Sequence, residues 1–287
     1  PIQSTAKNSK SSIMGKKILI PTDFSENSWY AIRYAIKLYE NQDCDFFILN
    51  TFVKDTYGHS GNTLLDPDET FNKLSENQSK QGLGNILVQL SELDKDLNHR
   101  FHMISRSSHY LDAVVEMVES VPIDMIVMGA KGMTNTEERV YGKNSMAVIK
   151  GVRKCPILVV PNNVSLDRPE EIVLATNFDI EYNLSEIEHL AEIARISKAK
   201  IQVLSMVDHD SLNPRQKNNK VLLQKYFKDI NHSFNLLPNP KKGIAFNDLI
   251  KSSHGNIISY VYRSPTFWER IGLVTPTSDK LEYFKDI

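Results

Sequence analysis

The chain has 287 residues, 41% hydrophobic and 24% charged, with 34 Lys plus Arg against 35 Asp plus Glu for a net charge of −1. These values exclude a disordered tail, a collagen-like or coiled-coil fibre, and a strongly basic surface that would neutralise a phosphate backbone or anionic lipid. The length suits one large domain or two ordinary ones of roughly 100–200 residues. Two cysteines, Cys44 and Cys155, without a Cys-x-x-Cys pair, give neither a disulfide framework nor a structural zinc signature, which fits a cytoplasmic protein. The longest apolar runs, residues 18–21 and 156–161, fall far short of the roughly 20 residues that cross a bilayer. Neither a membrane nor nucleic acid is expected as a partner.

Residues 1–13 lack the apolar segment of a secretory signal. They read as a leader, disordered or artificial, ahead of Met14 as a natural start. From Lys16 onward, short apolar runs alternate with segments of helical period, the pattern of βαβ units on a parallel sheet. Residues 16–21 read as a strand, followed by a turn and a helix carrying Ile32, Ala35, Ile36 and Tyr39, with Ser25 as its N-cap. Residues 46–52 form a second strand, apolar on both faces. After a polar stretch over 54–68 comes a helix with Leu83, Leu87, Leu90, Leu93 and Leu97. A strand over 100–105, a helix over 111–120, a strand over 125–128 running into Gly129, a helix over 145–152 and a strand over 156–160 complete a first α/β domain, residues 14–163.

The same opening then returns. Ile172-Val173-Leu174-Ala175-Thr176-Asn177 lies 154 residues after Ile18-Leu19-Ile20-Pro21-Thr22-Asp23, and the strand from Ala199 lies 155 residues after the one from Cys44. A nearly constant offset indicates a tandem duplication. The expected architecture is therefore two doubly wound, Rossmann-like parallel sheets of order 3-2-1-4-5. The second, in residues 168–287, is degenerate: Arg263-Ser264-Pro265-Thr266 follows its fourth strand where the first copy has Gly129-Ala130-Lys131-Gly132, and no fifth strand follows.

Ligands of such sheets bind beyond the carboxyl ends of the strands, where the winding reverses between strands one and four. Asp23 and the glycines after strand four meet there. Gly129 and Gly132 let backbone approach a ligand closely, and Gly142-Lys143-Asn144-Ser145 leads into a helix N-terminus suited to phosphate. Neither standard phosphate loop is present. Glu137 stands where the first glycine of a Walker A sequence belongs, Asn144 where its Ser or Thr belongs, and no Gly-x-Gly-x-x-Gly follows the first strand.

The pairing of Pro21-Thr22-Asp23-Phe24-Ser25 with Gly129-x2-Gly132-x9-Gly142 and an apolar strand over 156–161 resembles the universal stress protein family, here as a tandem member. The resemblance is close over 16–161 and weak from Glu171 on. It implies an ATP or other adenine-nucleotide site, with or without magnesium. Asp23, in the Pro21-Thr22-Asp23 turn, would meet adenine or ribose. Thr51 and Met128 would line the base, and Gly129, Gly132, Gly142, Asn144 and Ser145 would cradle ribose and phosphates. The family pattern has Ser or Thr directly after the third glycine. Lys143 stands there instead, adding a phosphate contact or marking a drifted pocket.

Each feature also has a plain structural reading. Asp23 can serve as a cap or turn residue, and the glycines as tight turns. Lys131 and Lys143 can be solvated charges. Asp208-His209-Asp210 reads as a polar loop, His99 and His102 form no metal-ligand pattern, and Ser145 has no nearby base in sequence to make it a nucleophile. Phe267 and Trp268 read as packing or interface residues. Three functions are carried forward: a stress-response regulator that binds an adenine nucleotide in its first domain, a nucleotide-free interaction module with both pockets decayed, and, ranked last, a slow ATPase. The strand over 156–160 sits at a sheet edge, which in the resembled family pairs with its counterpart. Without a fifth strand in the second copy, a homodimer built on facing intrachain domains is expected, unless the leader or later residues cover the edge.

Overall fold

The computed structural model describes residues 15–53, 67–93, 98–132, 141–162, 164–205, 207, 209–236, 257–259 and 261. The first half runs β1 (Lys16–Pro21), α1 (Glu26–Leu38), β2 (Cys44–Phe52), α2 (Pro67–Leu93), β3 (His99–Ser107), α3 (Tyr110–Ser120), β4 (Met125–Gly129), α4 (Lys143–Gly151) and β5 (Ile157–Val160). Its strands form one parallel sheet of order β3-β2-β1-β4-β5, the order expected from the sequence. Alternation along the strands builds both layers. Ile18 and Ile20 of β1 and Met125 and Val127 of β4 face α1 and α2. Leu19, Ile126 and Met128 face α3 and α4.

The second half runs β6 (Glu171–Thr176), α5 (Leu184–Ser197), β7 (Lys200–Ser205), a single 3-10 turn (His209–Ser211), α6 (Pro214–Tyr226), β8 (His232–Leu236) and β9 (Ile257–Ser259). Among the described residues its parallel sheet has four strands, β8-β7-β6-β9, which is the 3-2-1-4 part of the same plan. Residues 1–14, the expected replacement of the glycines at 263–266, and Phe267 and Trp268 lie outside the described residues.

Several boundaries and one helix face differ from the sequence reading. Strand β3 continues to Ser107 because it pairs with β2 along its whole length, Thr51 opposite Arg106 and Phe52 opposite Ser107. Helix α4 begins at Lys143 rather than Ser145, with Gly142 as its N-cap. Helix α2 already begins at Pro67, in the stretch expected to be polar loop. Its buried face is Leu83, Ile86 and Leu90, whereas Leu87 and Leu93 are about half exposed; Leu97 lies outside the described residues. A leucine every three or four residues draws a stripe wider than the sheet can cover, and packing on β2 and β3 selects only part of it.

The duplication is clearest in a turn. Thr22 Oγ1 accepts the Phe24 N–H at 3.0 Å, and Thr176 Oγ1 accepts the Phe178 N–H at 2.8 Å. Both phenylalanines adopt the left-handed conformation, φ 65° and 61°. That conformation is uncommon for a bulky residue, so its presence at both positions marks one inherited turn. The two rings are used oppositely. Phe178 is fully buried, whereas Phe24 is 38% exposed and lies on helix α2 over Gly82, where a Cβ would stand 2.4 Å from the ring.

The halves are packed together. Core residues of α1, α2 and the first sheet are continuous with Ile172, Leu174, Leu190, Ile201 and Phe227 of the second half. Lys16 bridges Glu192 of α5 at 2.7 Å and Asp124 at 3.5 Å, Arg168 pairs with Glu40 at 2.5 Å, and the Tyr30 hydroxyl donates to the Val164 carbonyl.

The unequal burial of the paired phenylalanines gives a test with an internal control. Phe178→Ala should cost about 3–5 kcal/mol, the usual range for emptying a buried aromatic site. Phe24→Ala should cost only about 1–2 kcal/mol, since much of that ring already meets water. Urea unfolding of the two variants measures the difference, and equal losses would remove the asymmetry.

Candidate functional site

At the carboxyl end of β1 the chain has to leave the sheet and enter α1 within four residues, and side chains fix how it does so. The Thr22 N–H donates to the Leu49 carbonyl at 2.8 Å, extending the β1–β2 ladder. The Asn50 amide donates to the Thr22 carbonyl at 2.8 Å. The Thr22 and Ser28 hydroxyls share a 2.8 Å hydrogen bond. Ser25 caps α1 as expected, accepting the Ser28 N–H at 3.2 Å. Asp23 Oδ1 accepts both the N–H of Ser25, at 3.1 Å, and its hydroxyl, at 2.5 Å. Asp23 therefore serves the turn, as the plain reading has it, and its other oxygen faces the segment after β4.

Glycine makes that approach possible. A Cβ on Gly132 would stand 2.5 Å from Asp23 Oδ2, and one on Gly129 would stand 3.1 Å from the Asn27 carbonyl oxygen. The segment between them is held by its carbonyls. Gly129 O accepts the Ser145 hydroxyl at 3.0 Å, Ala130 O accepts the Gly142 N–H at 2.8 Å, and Lys131 O accepts the Asn27 side-chain amide at 3.3 Å. Gly142 is the N-cap of α4 and has no side chain to satisfy the first amides of that helix. Those amides carry the positive end of the helix dipole.

The structure thus brings Pro21, Thr22, Asp23, Gly129, Gly132, Gly142 and Ser145 to one switch point. Ser145 is 4% exposed, with its hydroxyl given to Gly129; this is an architectural use of the residue. Lys143 and Asn144 are exposed in the first turn of α4. Thr51 is half-buried near the end of β2, whereas Met128 is 2% exposed, with its side chain in the core against α3 and α4.

Three further residues belong to this end of the sheet. Asn50 is a polar residue in an otherwise apolar stretch of β2, a signal legible in the sequence. Asn27 is an ordinary first-turn residue with no sequence signal. Tyr110 opens α3 beyond the end of β3. Burial pushes its hydroxyl well above the ordinary tyrosine range, and the Asp23 carboxylate adds to the shift. That influence sets Tyr110 near Asp23, although 87 positions separate them along the chain.

Comparison with known proteins gives the family and the fold. The model of the universal stress protein family matches residues 14–161. The chain belongs to the universal stress protein family. One universal stress protein of Methanocaldococcus jannaschii is 29% identical over 145 residues, which are 50% of this chain and 81% of that protein. Another from the same organism is 31% identical over 166 residues, 52% of this chain and 96% of that protein. A universal stress protein structure from Archaeoglobus fulgidus aligns over 83% of this chain and 85% of its own with a TM-score of 0.52 and 15% identity. At that identity the likeness speaks for the fold, and it extends across both halves.

The proximity of Tyr110 to Asp23 can be measured. In Asp23→Asn the Tyr110 hydroxyl should titrate at lower pH than in the unmodified protein, since a neighbouring negative charge is removed. It should stay above pH 10 because burial, the larger cause, persists. NMR titration of labelled tyrosine reads the shift, and an unchanged value would separate the two side chains.

Proposed function

We propose that this universal stress protein is a regulator that binds ATP or a related adenine nucleotide at the switch point of its first half. The supporting observation is the side-chain-free approach of Gly129 and Gly132 to Asn27 and Asp23, beside a helix whose N-cap leaves its first amides available. A nucleotide is the ligand class that uses all three parts. Asp23 meets a ribose or base edge, the glycine backbone admits the sugar, and the α4 N-terminus takes phosphate. Thr51 lies beside the base. Met128 contributes through its backbone at the strand end, its side chain being committed to the core. Lys143 and Asn144, exposed on the first turn of α4, reach the phosphates from outside. Among the described residues no group of three or more His, Cys, Asp or Glu could hold a metal; magnesium would enter as the companion of the polyphosphate. We read the role as binding rather than hydrolysis, in a cytoplasmic protein whose two thiols, Cys44 and Cys155, are free.

The two halves, residues 14–163 and 168–287 as domains, are unequal in this reading. In the second half Asn177 replaces the aspartate, and the turn is sealed by α6. Gln216 donates to the Asn177 carbonyl at 3.0 Å and to the Asp179 carboxylate at 2.8 Å. Asn219 donates to both the Phe178 and Ile180 carbonyls at 2.8 Å. Calorimetric titration with ATP should give one site per chain. Gly132→Val, which drives a branched side chain into Asp23, should weaken that site by at least about tenfold. Equal binding by the two proteins, or no binding by either, would sink the pocket and favour the interaction-module reading.

We also propose a homodimer through β5. Among the described residues this strand pairs with β4 alone, and Ile157, Leu158 and Val159 are only partly covered. An apolar edge of this kind is satisfied by an antiparallel copy of itself. Light scattering at micromolar concentration should find a dimer, and Leu158→Lys should shift it towards monomer. A monomeric unmodified protein would reject the assembly.

A further inference from the structure

We infer that Asn27 is a positioning residue for the phosphate end of the switch-point site, acting by turning the Lys131 carbonyl away from the cleft. The inference rests on the nucleotide reading above. It concerns a place where α1, rather than α4, meets the glycine segment.

Backbone that approaches a polyphosphate has to present donors and withhold acceptors, because a carbonyl oxygen aimed at a phosphate repels it in a poorly solvated cleft. Three successive carbonyls leave β4 at this place, and each has a donor from elsewhere. Gly129 O takes the Ser145 hydroxyl at 3.0 Å and Ala130 O takes the Gly142 N–H at 2.8 Å, the first from α4 and the second from its N-cap. Lys131 O takes the Asn27 side-chain amide at 3.3 Å, across 104 positions of sequence. The same asparagine packs its backbone carbonyl against Gly129, where a Cβ would stand 3.1 Å away. Asn27 thus fixes both the place and the roll of the segment. Ser145 and Gly142 occupy positions of the recurring glycine pattern, whereas Asn27 lies outside it. Nothing in the α1 helix itself requires an asparagine there, since Ser25 already caps it and Ser28 already closes on Thr22.

The effect is specific to charge. Loss of the Asn27 donor removes the hydrogen bond that α1 gives the Lys131 carbonyl and lets that acceptor weigh against an anionic ligand, so binding of a triphosphate falls while binding of the uncharged nucleoside does not. Asn27→Leu removes the donor with its amide. Asn27→Ala removes the donor without adding charge or bulk and covers the case in which the leucine variant fails to fold.

Two measurements decide the matter. Calorimetry with ATP and with adenosine should show ATP weakened about tenfold in either variant and adenosine by less than twofold. Equal loss for both ligands would mean a general structural role and overturn the inference. Amide hydrogen exchange over residues 129–132, without any nucleotide, should be faster in the variants than in the unmodified protein; unchanged exchange would overturn it as well. An unmodified protein that binds neither ligand would refute the nucleotide reading, and the exchange result alone would then decide whether Asn27 holds the segment.

Discussion

A threonine hydroxyl governs how each half of this protein leaves its first strand. Thr22 and Thr176 accept the N–H two residues ahead, and that short bond turns a phenylalanine into the left-handed region that its side chain otherwise avoids. Everything at the switch point follows from the turn. It places Ser25 at the head of α1 and aims Asp23 across the sheet towards the chain leaving β4. It also lets Thr22 share its hydroxyl with Ser28 while its backbone carbonyl receives Asn50. The bond stands at 4% exposure for Thr22 and 7% for Thr176, away from competition with water. That low-dielectric setting lets one hydroxyl hold an unfavourable backbone conformation against its cost.

With an identical turn, the halves diverge through what packs on the other side of it. In the first half the neighbour is Gly82 of α2, which leaves room for the Phe24 ring on the surface. In the second half the neighbours are Gln216 and Asn219 of α6, whose amides satisfy the carbonyls of residues 177, 178 and 180 while Phe178 sinks into the core. A backbone whose carbonyls are satisfied in this way gains rigidity. Divergence after duplication is therefore written in the crossover helices as much as in the lost glycines.

Much of this was legible in the sequence, for physical reasons. Strands such as 18–21 and 125–128 are buried on both faces, so their composition alone declares them, and the order of a doubly wound sheet follows from the alternation of strands and helices. Ser25 announces itself as a cap by its chemistry, and Gly129 and Gly132 by the absence of a side chain beside an aspartate. The face of α2 was not legible, because a leucine at 87 and one at 90 look alike until the sheet covers one of them. Met128 could be placed at the end of its strand, but not its side chain in the core against α3 and α4. Tyr110 and Asn27 were invisible because their importance lies in a neighbour about ninety or a hundred positions away, and no local pattern encodes that. Asn50 could have been found, as a lone amide in an apolar strand asks for a buried partner.

The ion pair of Lys16 with Glu192 joins the first residue of the first strand to a helix 176 positions later. On a ribosome that emits about 5–20 residues each second, β1 would wait roughly ten seconds or more for α5, with Asp124 available to Lys16 sooner. During that interval the apolar surface that the second half later covers is exposed to the cell.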